Sequence, residues 1–257
     1  MASTKDIDVL KRPKKILLVS PNGLGKSIVA GSFHVEGKIV FEDLDLRMDP
    51  VKEYYPDADI RYNSWTSENF NRFVERIHAI IRGEIKPDWK TWVLDSVTST
   101  SITSVTYQLK VKGTIKTTGG GLPATSWDEI NGETVFMHEI IEAFQVAYAK
   151  FGCNVIFTSH PIPKTQIIEG ESTKHIMSLA AYGNKIPSIV PGYFNEIYSI
   201  GMDQVSPGVY KRFLYTLPHD GMPGKTALFR YLPDKIDITN KNFCEILNKI
   251  LAEGPKK

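Results

Sequence analysis

The sequence predicts an α/β domain: a mostly parallel sheet with helices on both faces and an antiparallel extension toward the C-terminal end. Three observations carry this expectation. Ile16–Val19, Trp92–Leu94 and Val155–Phe157 are short, continuously apolar runs, the pattern of strands covered on both faces. Stretches with helical spacing alternate with these runs, most clearly Phe70, Phe73, Val74, Ile77 and Ile81. Nearer the end, Asn195–Asp203 and Val209–Leu217 flank the turn Ser206-Pro207-Gly208, as consecutive antiparallel strands would, and Thr226–Leu232 reads as a further strand.

The chain is organised around Lys15 to Ser27, which reads as a buried strand, a glycine-containing turn and the start of a helix. Gly23 and Gly25 permit backbone angles that a Cβ forbids, so successive N–H groups can face one concavity. A helix beginning near Gly25 adds its free N–H groups and the positive end of its dipole. The backbone from Asn22 through Gly23, Leu24 and Gly25 to Ser27 is therefore a candidate phosphate cradle. Lys26 supplies charge to the β- and γ-phosphates of a nucleotide, and Ser27 a hydroxyl for Mg²⁺. This is the Walker A pattern, with Ser20 in place of its first glycine.

Composition sets the bounds. The 257 residues can bury a full core, and a net charge of +2 gives no global argument for nucleic acid. Two cysteines, Cys153 and Cys244, make no disulfide framework, which suits a reducing cytoplasm. No apolar run approaches the ~18 residues of a membrane span, and Met1 to Lys15 has no apolar segment of a secretory signal. Residues 1–14 read as a basic N-terminal arm and 15–257 as one domain.

Beyond the phosphate loop, Ile28–Phe33 continues a helix that Gly37 ends. Lys38–Phe41 forms a second strand running into Glu42-Asp43-Leu44-Asp45-Leu46-Arg47-Met48-Asp49-Pro50. Acids at such a strand end are placed to orient an attacking water, although some of them must simply face solvent. Tyr62–Thr66 is a third strand, and Thr66 or Ser67 caps the following helix, which closes at Gly83. Thr91-Trp92-Val93-Leu94-Asp95-Ser96 is an apolar strand ending in an acid, the Walker B pattern, with Asp95 and Ser27 sharing a Mg²⁺. The alternative for Asp95 is to cap the next helix, Ser99–Lys110.

Residues 110–132 form a long stretch with Lys110, Lys112, Lys116, Gly119, Gly120, Gly121 and Trp127. It suits a phosphate backbone, with an aromatic for stacking, and suits an ordinary surface loop equally. Glu133–Phe151 is an amphipathic helix closed by Gly152. Asn154–His160 is another buried strand, with Thr158, Ser159 or His160 placed to sense a γ-phosphate. A second long loop, residues 161–185, carries Lys164, Lys174, His175 and Lys185. Lys225 and Arg230 flank the last strand and are candidates to reach a nucleotide. An amphipathic helix (Phe243, Ile246, Leu247, Ile250, Leu251), capped by Thr239 or Asn240, ends the pattern.

Assembled in this order, these residues resemble the RecA-type P-loop recombinase core over roughly residues 15–235. They resemble more closely the short RecA-like ATPases of bacteriophages that act in single-strand annealing and recombination. The features that carry the resemblance are Ser20–Ser27, the acidic segment closing in Asp49-Pro50, Val93–Ser96, the two long loops, and Thr158-Ser159-His160 before the second loop. The resemblance implies ATP and Mg²⁺ as cofactors, with Lys26, Asp45, Glu42 and His160 acting in hydrolysis. It also implies single-stranded DNA bound through the two loops, a single-strand DNA-binding protein as partner, homo-oligomers, and a bacterial host cytoplasm if phage-encoded. Asp45 falls where the recombinases usually place a glutamate, so the expectation is either slow hydrolysis or another nearby acid, Glu42 or Asp43, in that role. A nucleotide-gated assembly protein and a P-loop small-molecule kinase are the alternatives. Scattered arginines count against the kinase.

Overall fold

The structure, a computed structural model, describes residues 12–113, 127–168 and 171–255. Along the chain run β1 (Lys15–Val19), α1 (Lys26–Gly31), β2 (Ile39–Asp43), α2 (Asp49–Tyr54), β3 (Ile60–Ser64), α3 (Phe70–Ile81), β4 (Thr91–Asp95) and α4 (Val97–Val111). They are followed by α5 (Trp127–Phe151), β5 (Asn154–Ser159), β6 (Pro161–Ile168), β7 (Glu171–Leu179), α6 (Lys185–Ile189), β8 (Glu196–Ser206), β9 (Val209–Tyr215), β10 (Lys235–Asp237) and α7 (Phe243–Ala252).

The main sheet has eight strands in the order β10-β9-β8-β1-β5-β4-β2-β3. β1 lies between β5 and β8 and is parallel to both, so Leu17 stands level with Phe157 on one side and Ile197 on the other. β4 and β2 continue the parallel set, with Asp43 level with Asp95, and β3 forms one edge. β9 runs antiparallel to both β8 and β10, and the three make the expected C-terminal extension.

Period-two alternation sorts the strand side chains between two cores. Leu17, Val19, Val40, Trp92, Leu94 and Phe157 face α3, α4 and α5, where Phe73, Ile77, Met137 and Phe144 pack on them. Ile16, Leu18, Ile39, Phe41, Val93 and Ile156 face α1, α2 and α7, meeting Val29, Val51, Phe243 and Leu247. Trp92 and Phe144 stack in parallel at 3.6 Å between ring centroids, joining β4 to α5.

Several local expectations are corrected. α5 begins at Trp127, ahead of Glu133, and runs through Gly132. A Cβ on Gly132 would stand 2.0 Å from the Gln108 side-chain oxygen, so glycine there leaves room for that side chain between α4 and α5. Residues 114–126 of the first expected loop lie outside the described residues. The second is in large part an antiparallel ribbon, β6 with β7, from Pro161 opposite Leu179 toward its tip. Thr226–Leu232 is a run of turns, and the last strand lies later, at β10. Asn242, not Thr239 or Asn240, caps α7 by accepting from Glu245 N at 3.1 Å. At α3 the N-cap is Asn69, whose side-chain oxygen accepts from Thr66 N at 2.6 Å. Among the described residues no helix is long and apolar enough to cross a membrane.

Candidate functional site

The parallel strands end at one edge of the sheet, where ligands bind in open α/β folds. The loop leaving β1 turns through Gly23 (φ +80°) and Gly25 (φ +88°) directly into α1. Both angles lie in the left-handed region, so these are the two positions of the loop that require glycine. Ser20 carries no such strain. It is buried, its N–H donates to Ser159 O at 3.3 Å, and its hydroxyl donates to Pro21 O at 3.0 Å. The departure from the usual first glycine is therefore accommodated by the fold.

Asn22, Gly23, Gly25, Lys26, Ser27, Asp45, Arg47, Pro50 and His160 are among the residues lining an open cleft of about 240 Å³ over this loop. Leu24 instead leans on the core below α1. The Lys26 ammonium donates to Ser20 O at 2.9 Å and Pro21 O at 3.3 Å, and stands 3.1 Å from His160 Nδ1. Burial lowers its pKa to about 8, against the pull of Asp95 and Asp45.

Asp95 ends β4. β5 separates that strand from β1, so the two motifs are not on adjacent strands as their shared metal suggested, yet their side chains meet. Ser27 Oγ donates to Asp95 Oδ2 at 2.6 Å, and Thr158 Oγ1 donates to the other carboxylate oxygen. Burial, with the nearby Asp45 charge, raises the Asp95 pKa, while Ser27, Thr158 and Lys26 oppose that shift. The helix after β4 is capped by Ser96, whose hydroxyl accepts from Ser99 N at 3.2 Å, so capping leaves Asp95 free for the cleft. The Ser27–Asp95 oxygen pair at the start of α1 fits Mg²⁺, a hard cation that takes few protein ligands and completes its shell with phosphate and water.

His160 follows β5 and joins the two halves of the cleft. Its Nδ1 faces Lys26, its Nε2 lies 3.6 Å from Asp45 Oδ2, and its backbone N–H donates to Thr98 Oγ1 at 3.1 Å. A neutral ring protonated at Nε2 satisfies both neighbours, because the ammonium can only donate. Burial pushes the Asp45 pKa up, but hydrogen bonds from His160, Ser99 and Ser96 outweigh it and bring the carboxyl to about 2. Asp45 is therefore a carboxylate at neutral pH, facing the cleft beside Lys26. Asp43 closes the turn after β2 by accepting from Leu46 N at 2.7 Å, and burial next to Asp95 raises its pKa to about 6.

Two expected site residues are elsewhere. Glu42 lies one step along β2 from Phe41 and so points to the opposite face, where it is fully buried. It accepts from Arg76 Nε at 2.9 Å, Trp92 Nε1 at 2.8 Å, Trp65 Nε1 at 2.7 Å and Asn63 Nδ2 at 3.1 Å, with no route to the cleft. Arg230 is exposed on a turn, with its guanidinium over the Phe229 ring. Lys225, the companion candidate, is bridged to Ile197 and donates to Phe194 O at 3.0 Å. Sequence reading passed over Thr158's bond to Asp95, Arg47 at the cleft and Arg212 of β9, which packs against Gly25. The signal for Arg212 is its alternation with Leu214, but this acquires meaning only once the face that carries α1 is known.

No curated protein sequence matches the chain. A solved structure described as the crystal structure of the RadB recombinase is similar to it at 14% identity, with 90% of each chain covered and a TM-score of 0.48. The family model described as AAA domain, AAA_24, matches residues 12–228. With that match spanning most of its length, and with a phosphate loop at the C-terminal edge of a mostly parallel sheet, the chain belongs to the AAA_24 family of AAA domains.

Proposed function

We propose that this protein is a Mg²⁺-dependent ATPase whose turnover is coupled to single-stranded DNA, in recombination or annealing of the phage type. The observation that supports the reading best is the convergence of Lys26, Ser27, Asp45 and His160 in one cleft over the phosphate loop, with the buried Asp95 bonded to Ser27 beneath it. Lys26 and the N–H groups from Asn22 to Ser27 bind the phosphates. Ser27 and Asp95 hold Mg²⁺, which neutralises charge on the phosphate oxygens when bound. Asp45, ionised and next to His160, accepts a hydrogen bond from water and orients it. Phosphoryl transfer needs mainly this positioning and charge neutralisation.

The link to DNA runs through His160. Its carbonyl accepts from Ala180 N at 2.9 Å, and the β6–β7 ribbon begins at the next residue. A change at the nucleotide therefore has a short covalent and hydrogen-bonded path to the ribbon, which carries the exposed Lys164. Of the earlier loop's described cations, Lys110 pairs with Glu68 at 3.6 Å and Lys112 with Glu129 at 2.6 Å, so among the described residues the ribbon is the stronger candidate for phosphate contacts. Homo-oligomers and a single-strand DNA-binding partner belong to the same reading.

The test is ATP hydrolysis by the purified protein with Mg²⁺, with and without single-stranded DNA, at two salt concentrations, beside Lys26→Ala. Stimulation that fades with salt, and is lost in the variant, supports the proposal. Hydrolysis indifferent to DNA detaches the ribbon from the cleft. ADP formation that requires a small acceptor, with the phosphoryl group recovered on that acceptor, identifies a kinase, and nucleotide binding without turnover identifies a nucleotide-gated assembly protein.

A further inference from the structure

We propose that Arg212 is a phosphate-contacting residue of the nucleotide site, supplied by the antiparallel extension of the same chain. The inference rests on the nucleotide-binding reading above and adds to it a cation from a strand that carries none of the phosphate-loop motifs.

The geometry begins at Gly25. A Cβ there would stand 2.8 Å from Arg212 Nη1, so the guanidinium fills the space that the missing side chain leaves. Gly25 immediately precedes Lys26 and the N-terminal turn of α1, whose N–H groups open toward the cleft. Arg212 reaches this point because β9 alternates. Leu214, two residues on, is buried in the core that contains α1, and Arg212 shares its face nearer the ligand edge.

The chemistry is that of a group waiting for an anion. Arg212 Nε is shielded from solvent and has no hydrogen-bond acceptor among the described residues. A buried donor left unmade is unfavourable, and buried polar groups are paired as a rule. The backbone is held firmly by contrast: Arg212 N donates to Thr239 Oγ1 at 2.8 Å, and its carbonyl accepts from Ile238 N at 3.0 Å. The acids near β9 are engaged with lysines, since Asp237 pairs with Lys211 at 3.3 Å and Lys241 at 3.4 Å. A fixed strand thus carries a planar, permanently charged fork against the phosphate loop with no carboxylate assigned to it. Phosphate oxygens match that fork, and a guanidinium forms charge-assisted, often bidentate, bonds with them.

The test is equilibrium titration of ATP and ADP, with Mg²⁺, into the wild-type protein, Arg212→Ala, Arg212→Lys and Lys26→Ala, with the melting temperature of each nucleotide-free protein. The expected result is that Arg212→Ala weakens both nucleotides by about tenfold or more, that Arg212→Lys recovers part of the loss, and that nucleotide-free melting is not lowered. If Arg212→Ala melts lower, Arg212→Met, which retains the aliphatic stem, carries the same comparison. Wild-type affinity in Arg212→Ala alongside lost affinity in Lys26→Ala overturns the assignment of Arg212 and leaves the nucleotide site standing. Failure of the wild-type protein to bind either nucleotide overturns both.

Discussion

Replacing Glu42 by alanine should unfold the protein more readily without touching its chemistry. The fully buried carboxylate accepts from Arg76, Trp92, Trp65 and Asn63, and thereby ties β2 to β4, α3 and the segment after β3. Truncation leaves two indole N–H groups, an amide and a guanidinium facing a cavity. Arg76 is 21% exposed and also lies over the Trp89 ring, so its charge finds some relief in water. Breaking a buried charge pair costs about 3–5 kcal/mol. For a chain of this size each kcal/mol moves the midpoint by roughly 2–4 °C, so a drop of roughly 6–20 °C is expected. Circular dichroism melting reads that drop, and ATP hydrolysis measured well below the lowered midpoint reads the chemistry. Hydrolysis per folded molecule should stay within about twofold of wild type, an effect of under 1 kcal/mol on the barrier. A variant that melts like wild type but has lost hydrolysis would refute the reasoning, because it would return Glu42 to the water-orienting role that its strand face denies it.

Asp45→Asn should reverse that pattern: melting close to wild type, ATP affinity retained, and hydrolysis reduced by about 10²-fold or more, read by phosphate release. Asp43→Asn tests the pH dependence. The Asp43 carboxyl titrates at about 6 in the fold against an ordinary 3.8, so the folded state holds the proton more tightly than the unfolded one. Its contribution is most favourable below the ordinary value and is lost as pH rises through 6. The asparagine variant, uncharged and still able to accept from Leu46 N, should melt higher than wild type at pH 8, by at most about 3 kcal/mol of stability, and show no gain near pH 4. An equal gain at both pH values would show that charge is not the cause. Asn242→Ala removes the cap of α7 and should cost about 1 kcal/mol, read as a small fall in the urea midpoint with an unchanged slope.

The phosphate loop, the strand ending in Asp95 and the central strands β1, β2, β4 and β5 were legible in the sequence because each is encoded by neighbouring residues. A strand covered on both faces must be an unbroken apolar run, as Ile16–Val19 and Val155–Phe157 are. A backbone that turns through φ +80° and +88° must carry glycine, as it does at Gly23 and Gly25. Lys26, Ser27, Asp95 and His160 could be placed at one sheet edge in advance because each ends or follows such an element.

What sequence reading placed wrongly depended on which face a strand presents and what lies across it. Glu42 and Asp45 are nearly adjacent acids. One points into the core of α3 and α5, and the other lies beyond the strand end, beside His160. Gly132 ends the first expected loop and lies inside α5, against Gln108, in the fold. Arg212 and Arg230 are both arginines late in the chain, but only Arg212 shares a face with α1. Local pattern sets where a strand begins and ends, because burial and backbone angle act on neighbours. The partner a side chain meets is set by the order of strands in the sheet, a property of contacts between residues far apart in the chain.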